Sequence, residues 1–225
     1  MARNKYPQET IHKILDVAQE LFLTKGYEHT SIQDIIDGLG GLTKGAIYHH
    51  FRSKEEILSA VLDRLYAGKG DRMAQILANR EMTGREKLIC SIHDSLDDPN
   101  QEQMFQAAPD LTHNPYLLAE LVCDSFYQST PQFLLPIIQE GVADGTITTD
   151  QPRELAQVLG LLCNIWINPS VCHGEQRELA LRFQFLNKLL APFRLDVISQ
   201  DMIDRVLNYQ QLYDQKNPGQ GWGME

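Results

Sequence analysis

The 225-residue sequence has few of the features that mark secreted, disulfide-stabilised or membrane-spanning proteins. Its only cysteines are Cys90, Cys123, Cys163 and Cys172, with no CxxC pair and no zinc-ligand spacing. We therefore expect reduced, mostly buried thiols and no structural metal or disulfide framework. No apolar run approaches the roughly 18–20 residues that cross a bilayer. The first ten residues are polar and lack the apolar region of a signal peptide, so we expect a cytoplasmic protein.

Basic residues are scarce over the larger part of the chain. The net charge is -10, from 20 basic and 30 acidic residues, which taken as a whole argues against a nucleic-acid partner. The charge is unevenly distributed, however. Residues 1–70 hold nine Lys/Arg and nine Asp/Glu, whereas residues 88–152 hold no Lys or Arg beside ten Asp/Glu. The sequence therefore indicates a neutral N-terminal part that can approach a polyanion and a larger acidic part that has no reason to do so.

Apolar residues recur at helical spacing nearly throughout, and no segment alternates like a strand. The 43% hydrophobic content is enough for one large domain or two modest ones. A first helix ends at Gly26, and Ser31 with Asp34 forms a capping-box pattern that opens a second. A short third helix follows over about 43–51, and Ser53 opens a fourth. Further helices are predicted over about 71–80, 84–97, 101–107, 115–128, 131–144, 152–168, 175–192 and 199–214, with prolines at helix edges.

Three short helices with a glycine-rich turn before the third suggest a helix-turn-helix. The segments ILDVAQELFLTKGYEHTS and TSIQDIIDGLGGLTKGAIYHHFRSKEEIL resemble the DNA-binding signature of the tetracycline-repressor-like (TetR) family of bacterial transcription regulators. The resemblance covers roughly residues 10–60, about a quarter of the chain, and LGGLTKG has one more glycine than the usual turn. It implies an all-α fold with a three-helix DNA-binding domain over 1–54. After it we would expect a helical effector-binding and dimerisation domain over 55–215, and then a disordered tail over 216–225.

The matched residues suit a helix that approaches DNA. Gly45 and Ala46 have almost no side chain, so the backbone can come close to the groove, and Lys44 can reach a phosphate or a guanine edge. Adjacent His49 and His50 point about 100° apart, which disfavours a shared metal ion. The resemblance implies that DNA bases are contacted by Lys44, Gly45, Ala46 and His49. It also implies that the DNA backbone is held by Thr30, Ser31, Tyr48 and Lys54. Thr43 is expected to cap the start of this helix. The alternatives are that Thr30 and Ser31 only cap a helix and that Tyr48 only packs.

The segment over 151–192 is the most apolar of the chain. Its two predicted helices, about 152–168 and 175–192, carry apolar residues on several faces, so they form either a fully internal pair or a face for a second subunit. The resemblance implies a two-fold homodimer through a four-helix bundle of these helices. Such a dimer would place two recognition helices about 34–36 Å apart, in successive major grooves of a palindromic operator.

The resemblance also implies a pocket for a small-molecule inducer between the middle helices. Each candidate lining residue could equally be ordinary core. The candidates are Met104, Phe105, His113, Tyr116, Phe126, Tyr127, Phe133, Asn164 and Trp166. Because 88–152 lacks basic residues, we expect a neutral or cationic inducer; the alternative is that this region is a solvated acidic surface.

These features favour a transcriptional repressor that binds its operator as a homodimer and is released by an inducer. The alternative is a DNA-tethered interaction module controlled by a protein partner. An enzyme is not expected, because the sequence has no nucleophile–base motif, glycine-rich phosphate loop or HExxH metal site. For the same reason no cofactor is expected.

Overall fold

The computed structural model describes residues 7–41, 44–65 and 67–216, which form helices joined by short loops and contain no β-strand. This confirms the all-α class. The α-helices are α1 (Pro7–Lys25), α2 (Ile32–Gly38), α3 (Lys44–His50), α4 (Lys54–Leu65), α5 (Lys69–Ala78), α6 (Gly84–Leu96), α7 (Gln101–Ala107), α8 (Pro115–Asp124), α9 (Leu135–Ala143), α10 (Pro152–Leu161), α11 (Gln176–Leu190) and α12 (Gln200–Lys216). Two segments are π-helical, πA (Ser125–Leu134) and πB (Leu162–Trp166). Among the described helices, none combines the length and apolar character that crossing a membrane requires.

Helices α1–α3 form the unit that we call the reading head, and their boundaries follow local sequence signals. Gly26, at φ 85°, takes the left-handed backbone that ends α1. Gly40 and Gly41 follow α2 with φ of 58° and 132°, so the additional glycine occupies a conformation that a side chain would strain. The predicted Ser31–Asp34 capping box is present.

The middle of the chain contradicts the predicted break between 128 and 131. There α8, πA and α9 follow one another without interruption from 115 to 143, and Pro131 lies inside πA. In an α-helix the proline ring would clash with the carbonyl four residues earlier. In a π-helix the hydrogen bonds reach five residues back, as from the Leu135 N–H to the Thr130 carbonyl, and the wider turn accommodates the ring. Proline therefore changes the winding here and does not end the helix.

Two apolar clusters organise the packing. The first joins the reading head and α4 to α7 and α8, where Met104, Ala107, Leu111 and Leu117 pack with residues of the first four helices. The second lies among α6, α9, α10, α11 and α12. The apolar packing of the reading head continues through α4 and onto α7 and α8, so the two parts that we expect to divide after residue 54 share this cluster.

Helices α6 and α9 approach each other closely at a pair of glycines. A Cβ atom on Gly84 would overlap the backbone of Gly141 and come within 2.6 Å of the Ile137 carbonyl oxygen. The Gly84 N–H also donates to the Asp144 carboxylate, at 2.7 Å. Only glycine permits this contact, so we infer that Gly84 sets the spacing of the two helices.

The expectation of mostly buried thiols is wrong. Cys123 and Cys163 are exposed, and Cys90 and Cys172 are partly exposed. The four cysteines are exposed or partly exposed because they lie outside the two apolar clusters.

Candidate nucleic-acid interface

The exposed side chains of α3 share one face. Lys44, Gly45, Tyr48 and His49 are exposed, and their spacing of one, three and one residues places them together on a helix. Ile47 is buried on the opposite side with 1% of its surface exposed. The helix therefore presents polar groups outward while an apolar anchor holds it against the head.

Within that face, the Lys44 Nζ lies 5.7 Å from the centre of the Tyr48 ring, and Tyr48 is 46% exposed. Ala46 is partly buried beside them. The rings of His49 and His50 meet edge to face with centroids 5.1 Å apart. Thr43, the predicted cap of this helix, lies outside the described residues.

Ser31 is exposed at the start of α2, where a phosphate could approach. Its Oγ accepts from the Asp34 N–H at 3.1 Å and donates to the Asp34 carboxylate at 2.5 Å. Hydrogen bonds from Lys25 and then from Ser31 hold the pKa of Asp34 well below its usual value, so this carboxylate is ionised. A phosphate at Ser31 would therefore have to share the hydroxyl with a neighbouring negative charge.

Thr30 lies inside the reading head, contrary to its expected role. Only 1% of its surface is exposed, and its Oγ1 donates to the Gly26 carbonyl at 2.7 Å. A phosphate contact by this hydroxyl would require that bond to break. We assign Thr30 to holding the turn between α1 and α2, because a buried hydroxyl with a good acceptor costs free energy to release.

Lys54 is half-buried and already has a partner. Its Nζ donates to the Tyr27 carbonyl at 2.9 Å and lies 4.0 Å from the centre of the Tyr27 ring. Burial lowers the pKa of Lys54, while Glu28 and Glu55 oppose that effect. The ammonium has three N–H donors, so a phosphate can still be contacted by those not aimed at the carbonyl.

Tyr27 is a buried anchor of the reading head and was not among the predicted DNA-contacting residues. It is 1% exposed, its ring packs on Phe22 with centroids 5.3 Å apart, and its hydroxyl donates to Glu55 at 3.3 Å. Burial first, and then Glu55, raise the pKa of Tyr27 far above its usual value. The signal that could have found it is the aromatic residue directly after the helix-ending Gly26.

Ser53 opens α4, as predicted, but with Glu56 it forms only half of a capping box. The Glu56 N–H donates to Ser53 Oγ at 3.2 Å, as expected for a cap. The Glu56 side chain, however, accepts from the Arg52 N–H instead of the Ser53 N–H.

The nine candidate inducer residues do not form one site. His113, Tyr116 and Tyr127 are exposed, and Met104 belongs to the first apolar cluster. Phe105 stacks on Tyr209 of α12 with centroids 5.1 Å apart.

The other four candidates, Phe126, Phe133, Asn164 and Trp166, lie on the two π-helical segments. These segments contact each other, because Asn164 Nδ2 donates to Ser125 Oγ at 3.0 Å. An open depression of about 490 Å³ lies elsewhere, and none of its lining residues was a candidate. It is lined by Asn79, Glu81, Met82, Glu86, Ile89 and Cys90.

Comparison with known proteins agrees with this geometry. Residues 14–61 match the bacterial regulatory proteins of the tetR family. The regulator TtgR of Pseudomonas putida is 42% identical over 59 residues, which are 26% of this chain and 28% of that relative. The transcriptional repressor KstR2 of Rhodococcus jostii is 28% identical over 151 residues, 64% of this chain and 71% of that relative. The segment over residues 14–61 is therefore similar to the DNA-binding segment of the TetR family.

The fold agrees as well. A TetR-family transcriptional regulator from Pectobacterium atrosepticum superposes with a TM-score of 0.60 at 22% identity, over 85% of this chain and 97% of that one. This chain spans only 28% of the length of the first curated relatives that it matches. These relatives are named as transcriptional regulators.

Proposed function

We propose that this chain is a TetR-family transcriptional repressor that binds a palindromic operator as a homodimer and is released by a small-molecule inducer. The observation that carries the proposal is the exposed polar face of α3 above buried Ile47, within the segment that matches the family. The relative KstR2, which matches beyond the DNA-binding segment, is itself a repressor. A bacterial operator lies in the cytoplasm, which is the location that we propose.

The chemistry of this face suits a major groove. Lys44 can donate to the O6 and N7 acceptors of guanine, and His49 can reach a neighbouring base edge. Gly45 and Ala46 allow the helix backbone to come close to the bases. Tyr48, Ser31 and Lys54 would contact phosphates, with Thr43 capping the helix.

The proposed dimer interface is an exposed apolar stripe. Leu181, Phe185 and Leu189 follow one another at intervals of four residues on α11 and are 54%, 56% and 42% exposed. Val158 of α10 is 49% exposed, and Trp166 meets the Phe185 ring with centroids 5.9 Å apart. The opposite face of α11 is buried in the second cluster. A fully internal helix pair would not leave this stripe open, which supports a second copy as its partner.

The proposed inducer site lies between πA and πB. Besides the Asn164–Ser125 bond between πA and πB, a Cβ on Gly160 of α10 would lie 2.5 Å from Thr130 Oγ1, so πA also packs closely on α10. Cys163, which precedes Asn164 on πB, is exposed. π-Helical turns are frequent at functional sites.

The polar groups between πA and πB, Ser125, Thr130 and Asn164, are uncharged, and neither segment contains a Lys or Arg. A carboxylate or phosphate would find no opposite charge from these two segments. We therefore favour a neutral, partly apolar inducer over an anionic one.

The test is operator selection from random duplex DNA at two salt concentrations. We expect an enriched palindrome with half-sites about one helical turn apart, bound by a dimer. Lys44→Ala should lose the enrichment, whereas Arg80→Ala, which removes an equal charge from the exposed α5–α6 turn, should keep it. Weak, sequence-independent binding by the wild-type protein would contradict the repressor and favour the interaction module.

A further inference from the structure

The turn formed by residues 110–114, between α7 and α8, meets the reading head through the apolar packing of Leu111 and through hydrogen bonds of Asn114. Asn114 Nδ2 donates to Glu28 Oε1 at 2.8 Å and to the Asp110 carbonyl at 2.8 Å. Glu28 lies in the turn between α1 and α2 of the reading head. The two N–H groups of one amide therefore connect the 110–114 turn to the unit that carries α3.

The turn itself is held by a buried charge. Asp110 has no exposed surface, and its carboxylate accepts from the Thr112 N–H at 2.8 Å and the Thr112 hydroxyl at 2.6 Å. It also contacts His113 Nδ1 at 2.8 Å and His173 Nε2 at 3.2 Å. A carboxylate buried among four such groups has its charge satisfied and fixes the turn in one conformation.

His173 connects this turn to the loop over 167–175, which joins πB to α11. Its ring stacks on Tyr213 of α12 with centroids 6.2 Å apart. The Leu111 N–H donates to the Ser170 carbonyl at 2.9 Å, and Gln210 of α12 donates to the Gly174 carbonyl at 2.6 Å. The loop between the two helices of the proposed dimer interface is thus tied to the 110–114 turn.

We propose that the 110–114 turn is a strap that couples the loop over 167–175 to the reading head through the Asn114–Glu28 contact. The inference rests on the proposed function. Helix α4, the apolar packing on α7 and α8, and the strap each hold the head, so the head has a defined orientation. A shift of πB or α11 moves His173 and Asp110, and Asn114 passes the shift to Glu28. The coupling is a chain of short polar contacts between elements far apart in sequence.

The first experiment compares Glu28→Ala with Glu28→Gln in operator binding. Both variants remove a negative charge near the DNA, but only glutamine keeps an acceptor for Asn114. We expect Glu28→Ala and Asn114→Ala each to weaken operator binding about fivefold or more relative to Glu28→Gln. The double alanine variant should lose no more than either single variant. Equal affinities of Glu28→Ala and Glu28→Gln, or additive losses in the double variant, would overturn the strap.

The second experiment needs no operator and separates the strap from the proposed function. Hydrogen–deuterium exchange is measured over residues 26–31 in the wild-type protein, in Asn114→Ala and in Asn187→Ala. Asn187 makes a similar pair of amide bonds, to Ile198, away from the reading head. The strap predicts faster exchange in Asn114→Ala alone. If no operator is selected but this difference appears, the repressor is wrong and the strap stands. If exchange over residues 26–31 is the same in all three proteins, the strap is wrong.

Discussion

Replacing Phe185 by alanine should dissociate the proposed dimer. Phe185 occupies the middle of the exposed stripe of α11, between Leu181 and Leu189, and is the largest side chain in it. Its ring meets Trp166 in a T-shaped arrangement, and 56% of its surface is open. In a two-fold dimer that covers the stripe, two Phe185 rings would be buried, one from each protomer.

The magnitude follows from the exposed area. An aromatic side chain buries about 150–250 Å², so the exposed 56% of Phe185 corresponds to roughly 85–140 Å². At about 25 cal/mol per Å², covering it contributes roughly 2–3.5 kcal/mol per protomer. Ordering of side chains on association offsets part of this gain. We therefore expect Phe185→Ala to weaken the dimer by about 3 kcal/mol or more in total, a rise of about a hundredfold in the dissociation constant.

Sedimentation velocity over a range of concentrations measures that constant directly. Tyr116→Ala is the matched control, because Tyr116 is 63% exposed but lies on α8, outside the stripe. Leu181→Asp provides a second variant that leaves the Trp166–Phe185 contact in place. A dissociation constant unchanged in both Phe185→Ala and Leu181→Asp would refute the assignment of this face to a second copy.

Other predictions concern DNA reading, packing and acid stability. Lys44→Ala should cost about 1–3 kcal/mol of operator affinity in a titration, with little change on random DNA. Lys54→Ala should weaken binding to all sequences and flatten its salt dependence; equal salt slopes would contradict a phosphate contact. In denaturant unfolding, Gly84→Ala should lose about 1–3 kcal/mol or more by overpacking. Gly70→Ala, which meets open space inside α5, should gain about 0.5–1 kcal/mol. Burial opposes ionisation of Asp110, but the bonds from Thr112 and His113 outweigh it and keep the Asp110 pKa below its usual value. The stability that this lowered pKa contributes is present above the Asp110 pKa of the unfolded chain. It is lost as the pH falls through the Asp110 pKa of the folded protein. The wild-type protein should thus melt at a higher temperature than Asp110→Asn at neutral pH, and this difference should shrink below about pH 4. A difference in melting temperature that stays constant in acid would refute this.

The sequence by itself determined the features that depend on neighbours along the chain. Periodic apolar residues predicted the helices, and Ser31 with Asp34 predicted a cap that is present. Ile47 and Phe51, four residues apart in the sequence and so on one side of the predicted third helix, are both buried. The resemblance over residues 10–60 indicated the family, because a helix-turn-helix is a local motif whose residues act within a few turns of each other.

Only the tertiary structure decided which polar groups are available and which are already engaged. From the sequence, Thr30 could either cap a helix or contact a phosphate, but in the structure its hydroxyl donates to the Gly26 carbonyl. The winding around Pro131 depends on packing against α10, which periodicity does not record. The Asn114–Glu28 contact joins residues 86 positions apart, and the Asp110–His173 contact joins residues 63 apart. Such contacts arise because helix packing brings distant loops together, and no pattern of neighbouring residues specifies them.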